Sequence, residues 1–247
     1  MRTPIIAANW KMHKTIAETE EFINQFLPLV RGAKKVEILI APTYTSLAAA
    51  AKMLQGTNVK LGAQNMFWED KGAYTGEISG PMLVDIGCSH VIIGHSERRQ
   101  YFGETEETVN KRIAAAKKAG LEVIFCVGEV IEQREAGQTN NVLATQLSGG
   151  LKGHDLNGIT IAYEPVWAIG TGKTATPDMA NETQTFIRNW MKDKYGADAE
   201  AVTIQYGGSV KPDNIKELMT QPEIDGALVG GASLQADSFS KLVLYHG

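Results

Sequence analysis

Short runs of β-branched and aliphatic residues alternate with longer stretches of helical period along the whole chain. Residues 5–8, 36–41, 59–63, 90–94, 122–127, 159–163, 202–206 and 226–229 read as strands, each a compact apolar run bounded by polar or glycine-bearing turns. Helical patterns cover 16–29, 45–54, 105–119 and 178–195, with Thr105, Thr176 and Lys211-Pro212-Asp213 as start signals. Strands that are apolar on both faces and joined by helices imply a parallel sheet. Eight such units in 247 residues fit a closed α/β barrel of the (β/α)₈ type, with residues 1–247 as one domain. A doubly wound open sheet is the competing arrangement. It needs a glycine fingerprint after the first strand, and Ile6-Ala7-Ala8-Asn9-Trp10-Lys11 has no glycine.

The sixth run leads into Tyr163-Glu164-Pro165-Val166-Trp167-Ala168-Ile169-Gly170-Thr171-Gly172-Lys173, where a lone carboxylate leaves an apolar strand and enters an apolar loop. Pro165 fixes its own φ and biases Glu164 toward extended geometry, which ends the strand. With Pro165 at one end and Gly170 and Gly172 near the other, the loop reads as a lid. Its closure is expected to surround Glu164 with apolar surface, raise its proton affinity and make it a better base near neutral pH. The plainer reading is an ordinary strand end beside a loop that packs permanently.

Chemistry in such a barrel gathers where strands end and βα loops begin. Those ends carry Asn9 and Lys11, Gln64-Asn65, His95-Ser96-Glu97, Glu129, Glu164, Gly207-Gly208-Ser209 and Gly230-Gly231-Ala232-Ser233. Paired glycines let backbone N–H groups face a ligand without obstruction. Two such loops on consecutive strands, with Ala232-Ser233-Leu234 able to open a short helix, point to a phosphate held by amides, although tight turns alone also use such glycines. His95 at the start of a short helix is expected to stay neutral and donate, because the positive end of the helix dipole disfavours imidazolium. A strand-end histidine is more often structural. Lys11 is either an electrophilic cation or half of an ion pair with Glu97.

A net charge of −4 gives no bulk attraction for nucleic acid or a membrane surface, so an anionic ligand must be held locally. Polar Asn9 and Lys11 come too early for a signal peptide, and no apolar run approaches a bilayer span, so a soluble, cytoplasmic protein is expected. Cys88 and Cys126 lack metal-ligand spacing and are expected as buried thiols. The third loop, 64–77, is longer than a simple βα turn. It is expected to expose Met66, Phe67, Trp68, Ala73 and Tyr74 and to enter a partner.

Ala8-Asn9-Trp10-Lys11-Met12, Gly62-Ala63-Gln64-Asn65, Tyr74-Thr75-Gly76-Glu77, Ile93-Gly94-His95-Ser96-Glu97-Arg98-Arg99, Cys126-Val127-Gly128-Glu129, residues 162–173, Tyr206-Gly207-Gly208-Ser209-Val210 and Val229-Gly230-Gly231-Ala232-Ser233 follow in order over nearly the full length. Together they resemble the triosephosphate isomerase family. Val130, where the family usually carries a polar residue, and the bulky Phe67-Trp68 pair depart from it away from substrate-touching positions.

The resemblance implies a TIM barrel that interconverts dihydroxyacetone phosphate and D-glyceraldehyde 3-phosphate through an enediolate, in glycolysis and gluconeogenesis, with no cofactor and no metal. It implies Glu164 as base and His95 as electrophile, a pairing for which this family is itself the standard illustration. Lys11 and Asn9 would stabilise developing charge, with Ser96 and Glu97 in support. The phosphate would be gripped at Gly170, Ser209, Gly230 and Gly231. It further implies a homodimer in which Thr75 approaches the other subunit's site, and no nucleic-acid or membrane partner. Two alternatives stand beside it: a Schiff-base aldolase using Lys11, and a non-catalytic phosphosugar-binding barrel.

Overall fold

In the computed structural model, which describes residues 2–168 and 175–246, the strands β1 (Ile5–Asn9), β2 (Glu37–Ala41), β3 (Val59–Ala63), β4 (His90–Ile93), β5 (Glu122–Val127), β6 (Ile159–Tyr163), β7 (Ile204–Tyr206) and β8 (Gly226–Val229) close into a parallel barrel. β1 pairs with both β2 and β8, so the sheet has no free edge at that seam. The helices are α1 (Ile16–Val30), α2 (Tyr44–Leu54), α3 (Gly80–Asp85), α4 (Ser96–Phe102), α5 (Glu106–Ala119), α6 (Ile131–Glu135), α7 (Thr139–Gly150), α8 (Pro177–Tyr195), α9 (Ile215–Leu218) and α10 (Ala236–Val243).

Alternation along the strands divides the core in two. Ile5, Ala7, Leu39, Ala41, Ile92, Ile124, Cys126, Ala162 and Leu228 fill the barrel interior. Their neighbours, such as Ile6, Ile38, Val91, Phe125 and Ile161, face outward and meet the helices. Phe22 and Phe26 of α1 stack at 5.4 Å, and Phe26 continues onto Phe239 of α10 at 5.0 Å.

Local chemistry starts the helices where the sequence signals lie. Thr15 and Glu18 form a capping box at α1, Thr105 and Thr108 one at α5, and Thr176 caps α8 by accepting from the Met179 amide. Cys88 and Cys126 are both buried and unpaired in disulfide terms, and burial pushes the Cys88 thiol up to about 12. The third loop departs from expectation. Met66 is buried rather than exposed, its carbonyl accepting from Arg112 Nε at 2.9 Å, while Phe67 and Trp68 are half-buried and stacked. Ala73, Tyr74 and Thr75 do stand exposed. Among the described residues, no helix is long and apolar enough to cross a membrane.

Candidate active site

The C-terminal ends of β1, β4 and β6 to β8 meet around a cavity of about 440 Å³ lined by Asn9, Lys11, His95, Glu164, Ser209 and the two glycine loops. Glu164 shares the inward face of Ala162 and leaves β6 level with the end of β5, its amide donating to the Val127 carbonyl at 2.8 Å. That approach needs Gly128, where a Cβ would fall 1.7 Å from the Glu164 carbonyl oxygen.

His95 reaches the same cavity by a different device. Ile93 faces outward, and unbroken alternation would send His95 the same way. Gly94, at φ +73°, interrupts it, and a side chain there would also crowd Val109 and Arg99 at 3.1 Å. Arg99 fixes the following helix by donating from Nε to the Gly94 carbonyl at 2.8 Å and pairing with Glu106 at 2.9 Å.

Lys11 sits in the left-handed region at φ 52°, an uncommon setting for a side-chain-bearing residue. Asn9 Oδ1 accepts its amide at 3.0 Å, and Gln64 Nε2 donates to its carbonyl at 2.9 Å and to that of Ala41 at 2.9 Å. The strained turn is therefore held from both sides. Its ammonium pairs with Glu97 at 2.7 Å, the partner read from the sequence.

Glu164 is 2% exposed. One carboxylate oxygen lies 2.9 Å from His95 Nε2, and the other accepts the Ser96 amide at 2.9 Å. Burial pushes its proton affinity up, but the attraction and hydrogen bond of His95 and the Ser96 amide outweigh this, and the net direction is down. The rise expected from burial alone is thus reversed by partners the strand pattern does not reveal. For His95, burial disfavours the charged ring, but the neighbouring Glu164 carboxylate outweighs it and the net direction is up. This too runs against the expectation, because the carboxylate beside the ring comes from a strand far away in the chain. Nδ1 accepts the Glu97 amide at 3.2 Å, so the neutral ring carries its proton on Nε2, aimed at Glu164.

Ser209, Gly230 and Gly231 line the opposite wall. A Cβ at Gly207 would meet Glu164 Cγ at 2.9 Å, and one at Gly230 would meet Lys11 Cε at 3.4 Å, so glycine keeps the cavity open there. The expected short helix after β8 is a 3₁₀ turn, Gly231–Ser233. Gly170, with Gly172, lies outside the described residues. Thr75 is exposed on the third loop and does not line the cavity.

Glu129, which the sequence marks only as a strand-end acid, follows β5. It is fully buried, and one of its oxygens accepts from Tyr163 Oη at 3.1 Å, Trp167 Nε1 at 3.0 Å and Arg134 at 3.0 Å. It thereby ties the residues flanking Glu164 and Pro165 to the end of β5. The signal available in sequence was a lone acid following an apolar strand, as at Glu164. Cys126 lies against the Glu164 carboxylate, and burial together with that charge drives its thiol well above the ordinary value. The groups present are an acid–base pair, a nearby ammonium and backbone-lined space, a set suited to moving a proton beside a carbonyl on an anionic substrate.

A family model described as triosephosphate isomerase matches residues 4–246. Among similar proteins, the triosephosphate isomerase of Geotalea uraniireducens is 56% identical over 249 residues, covering 99% of this chain and 99% of its own length. That of Geobacter metallireducens is 57% identical over 249 residues, again covering 99% of both. The crystal structure of triosephosphate isomerase from Bartonella henselae superposes with a TM-score of 0.91 at 40% identity, covering 99% of this chain and all of that one.

Proposed function

The chain belongs to the triosephosphate isomerase family and is an isomerase; from that premise we propose that it interconverts dihydroxyacetone phosphate and D-glyceraldehyde 3-phosphate through an enediolate, as one barrel domain spanning 1–247. The observation that carries this reading is the pairing of Glu164 with His95 at 2.9 Å in a cavity that Lys11 and two glycine loops also line.

In this mechanism the Glu164 carboxylate removes a proton from the carbon next to the carbonyl. His95 Nε2–H polarises the carbonyl oxygen, and the ring then moves protons between the two oxygens of the enediolate. The Lys11 ammonium and Asn9 offset the charge that develops on oxygen. Donors aimed at such charge are commonly worth about 10²–10³ in rate, and a positioned base about 10²–10⁴. Ser96 orients Glu164 through its amide, and Glu97 positions Lys11 and the His95 ring. The phosphate is assigned to the backbone at Ser209, Gly230 and Gly231, with Gly170 from the loop as a fourth contributor. None of these steps calls for a cofactor or a metal. A homodimer, a cytoplasmic location and service in glycolysis and gluconeogenesis belong to the same reading.

Solvent deuterium supplies the test. Incubated with dihydroxyacetone phosphate in D₂O, the protein is expected to place deuterium on the carbon next to the carbonyl in both substrate and product. Conversion without any label would remove Glu164 as an exchanging base. Borohydride trapping of the triose on Lys11 would favour the Schiff-base aldolase instead.

A further inference from the structure

At the opposite end of the barrel, where the strands begin, alternation aims a second set of polar side chains inward. Glu37 shares the face of Leu39, His90 that of Ile92 and Glu122 that of Ile124, and those three apolar residues belong to the barrel interior. Register sets His90 opposite Glu122. Nε2 of His90 lies 3.1 Å from Oε1 of Glu37 and 3.1 Å from Oε2 of Glu122, with the ring 1% exposed. Neither contact has the alignment of a hydrogen bond, which leaves Nε2 and Glu37 Oε1 buried without one.

The other ring nitrogen decides the tautomer. Ser89 Oγ lies 2.8 Å from His90 Nδ1 and 3.2 Å from the Leu61 carbonyl; when its single proton goes to Leu61, it accepts from Nδ1, and Nδ1 carries the ring proton. Nε2 of the neutral ring is then a lone pair facing two carboxylates. A cation between them resolves that repulsion, either as a second ring proton or as a metal ion in its place. The 3.1 Å nitrogen–oxygen separations are close to the roughly 3.3 Å edge of a tetrahedron with zinc–ligand bonds near 2.0–2.1 Å. All three ligand atoms lie within 4.8 Å of one another, and the Glu122 side chain, 52% exposed, has room to adjust.

Lys60 engages Oε2 of Glu37 at 2.9 Å, leaving Oε1 toward the ring. Glu37 and Glu122 also border a cavity of about 1580 Å³ at this end of the barrel, which gives an ion a route in.

We propose that Glu37, His90 and Glu122 form a binding site for a divalent transition-metal ion of the zinc class, separate from the site at the other end of the barrel. One imidazole and two carboxylates suit zinc or cobalt, and the Ser89 contact supplies the outer hydrogen bond that orients a metal-binding histidine. The ion ties β2, β4 and β5 together where they enter the barrel.

Chelator-stripped full-length protein titrated with Co²⁺ is expected to develop the visible absorption of four-coordinate cobalt at one ion per chain, and added Zn²⁺ to remove it. Glu122→Gln, at a half-exposed position that leaves the fold intact, weakens binding by about tenfold or more, and His90→Gln abolishes it. Lys60→Met strengthens binding, since Glu37 loses its competing ammonium. Wild-type protein that gains no cobalt band, or a band unchanged by Glu122→Gln and His90→Gln, would leave a ring proton as the sole cation of the triad and overturn the proposal.

Discussion

Nε2 of His95 lies 2.9 Å from Oε1 of Glu164, although the two residues leave strands that are not neighbours in the barrel. β5 stands between them, and it is followed by Gly128, whose missing side chain lets the Glu164 backbone approach. Carboxylate and imidazole are therefore in contact before any ligand is considered. In the proposed mechanism a substrate carbon and its carbonyl oxygen slip between two groups that already point at each other, so the reacting geometry would be set by the strand ends rather than assembled by the ligand.

Shortening the proposed base tests that geometry. Glu164→Asp withdraws the carboxylate by about one bond length, and misplacements on the order of 1 Å can cost about 10²-fold in rate. We expect kcat to fall by about that factor or more, with the thermal midpoint nearly unchanged. Turnover close to the parent value would remove Glu164 as the base.

The same pair makes stability depend on pH. The folded Glu164 value lies below the ordinary 4.5, so its contribution is complete above that pH and is lost as the pH falls through the folded value. The folded His95 value lies above the ordinary 6.5, so its share is complete below 6.5 and is lost as the pH rises through the folded value. The stability difference between the parent and Glu164→Gln should therefore favour the parent most between 4.5 and 6.5 and shrink on both sides. Urea titrations across that range read it directly, and a difference that stays flat with pH would mean the two groups are not coupled.

Much of this was legible before any coordinates. Apolar runs of the right length located all eight strands to within a residue or two, because strands buried on both faces are made mostly of apolar residues. Helices with a strong cap or stripe, α1, α5 and α8, were equally plain. By contrast α7 follows Gln138, which supplies no side-chain cap, runs through Thr139-Asn140-Asn141 and ends in Gly149-Gly150, so neither its start nor its face stands out. The residues that line the cavity could be named from their positions at strand ends, but their proton affinities could not. Those depend on His95 turning inward at Gly94 and on the Ser96 amide, contacts between segments far apart in the chain. Met66 was misread for a related reason: an apolar residue in a long loop looks exposed until Arg112 and α3 are seen to cover it.

Glu129 is predicted to matter more for the fold than for the chemistry. It is fully buried and satisfies Tyr163, Trp167 and Arg134 at about hydrogen-bond distance, of which only Arg134 can turn readily to water. Glu129→Gln keeps the volume but removes the charge and one acceptor, and should cost about 1–3 kcal/mol of stability. A changed Trp167 emission spectrum should accompany it. A loss below about 0.5 kcal/mol would place the anchoring of this segment elsewhere.

The last prediction concerns the second subunit that the proposed dimer requires. Thr75 stands exposed at the tip of the third loop beside half-exposed Tyr74, outside its own cavity, and Met12, next to Lys11, is 92% exposed. Apolar surface of that kind beside the strained Lys11 turn is what a partner loop would cover. Thr75→Arg places a charge in that contact, and desolvating it without a counter-ion opposes association. Sedimentation at micromolar concentration should find the parent as dimers and the variant shifted to monomers. Specific activity of the variant should fall by about tenfold or more and recover in part as the protein is concentrated, because each Lys11 turn regains its neighbour. Fully active parent monomers at that concentration would sink the dimer, and a monomeric variant with undiminished activity would show that Lys11 is held well enough by Asn9 and Gln64 alone.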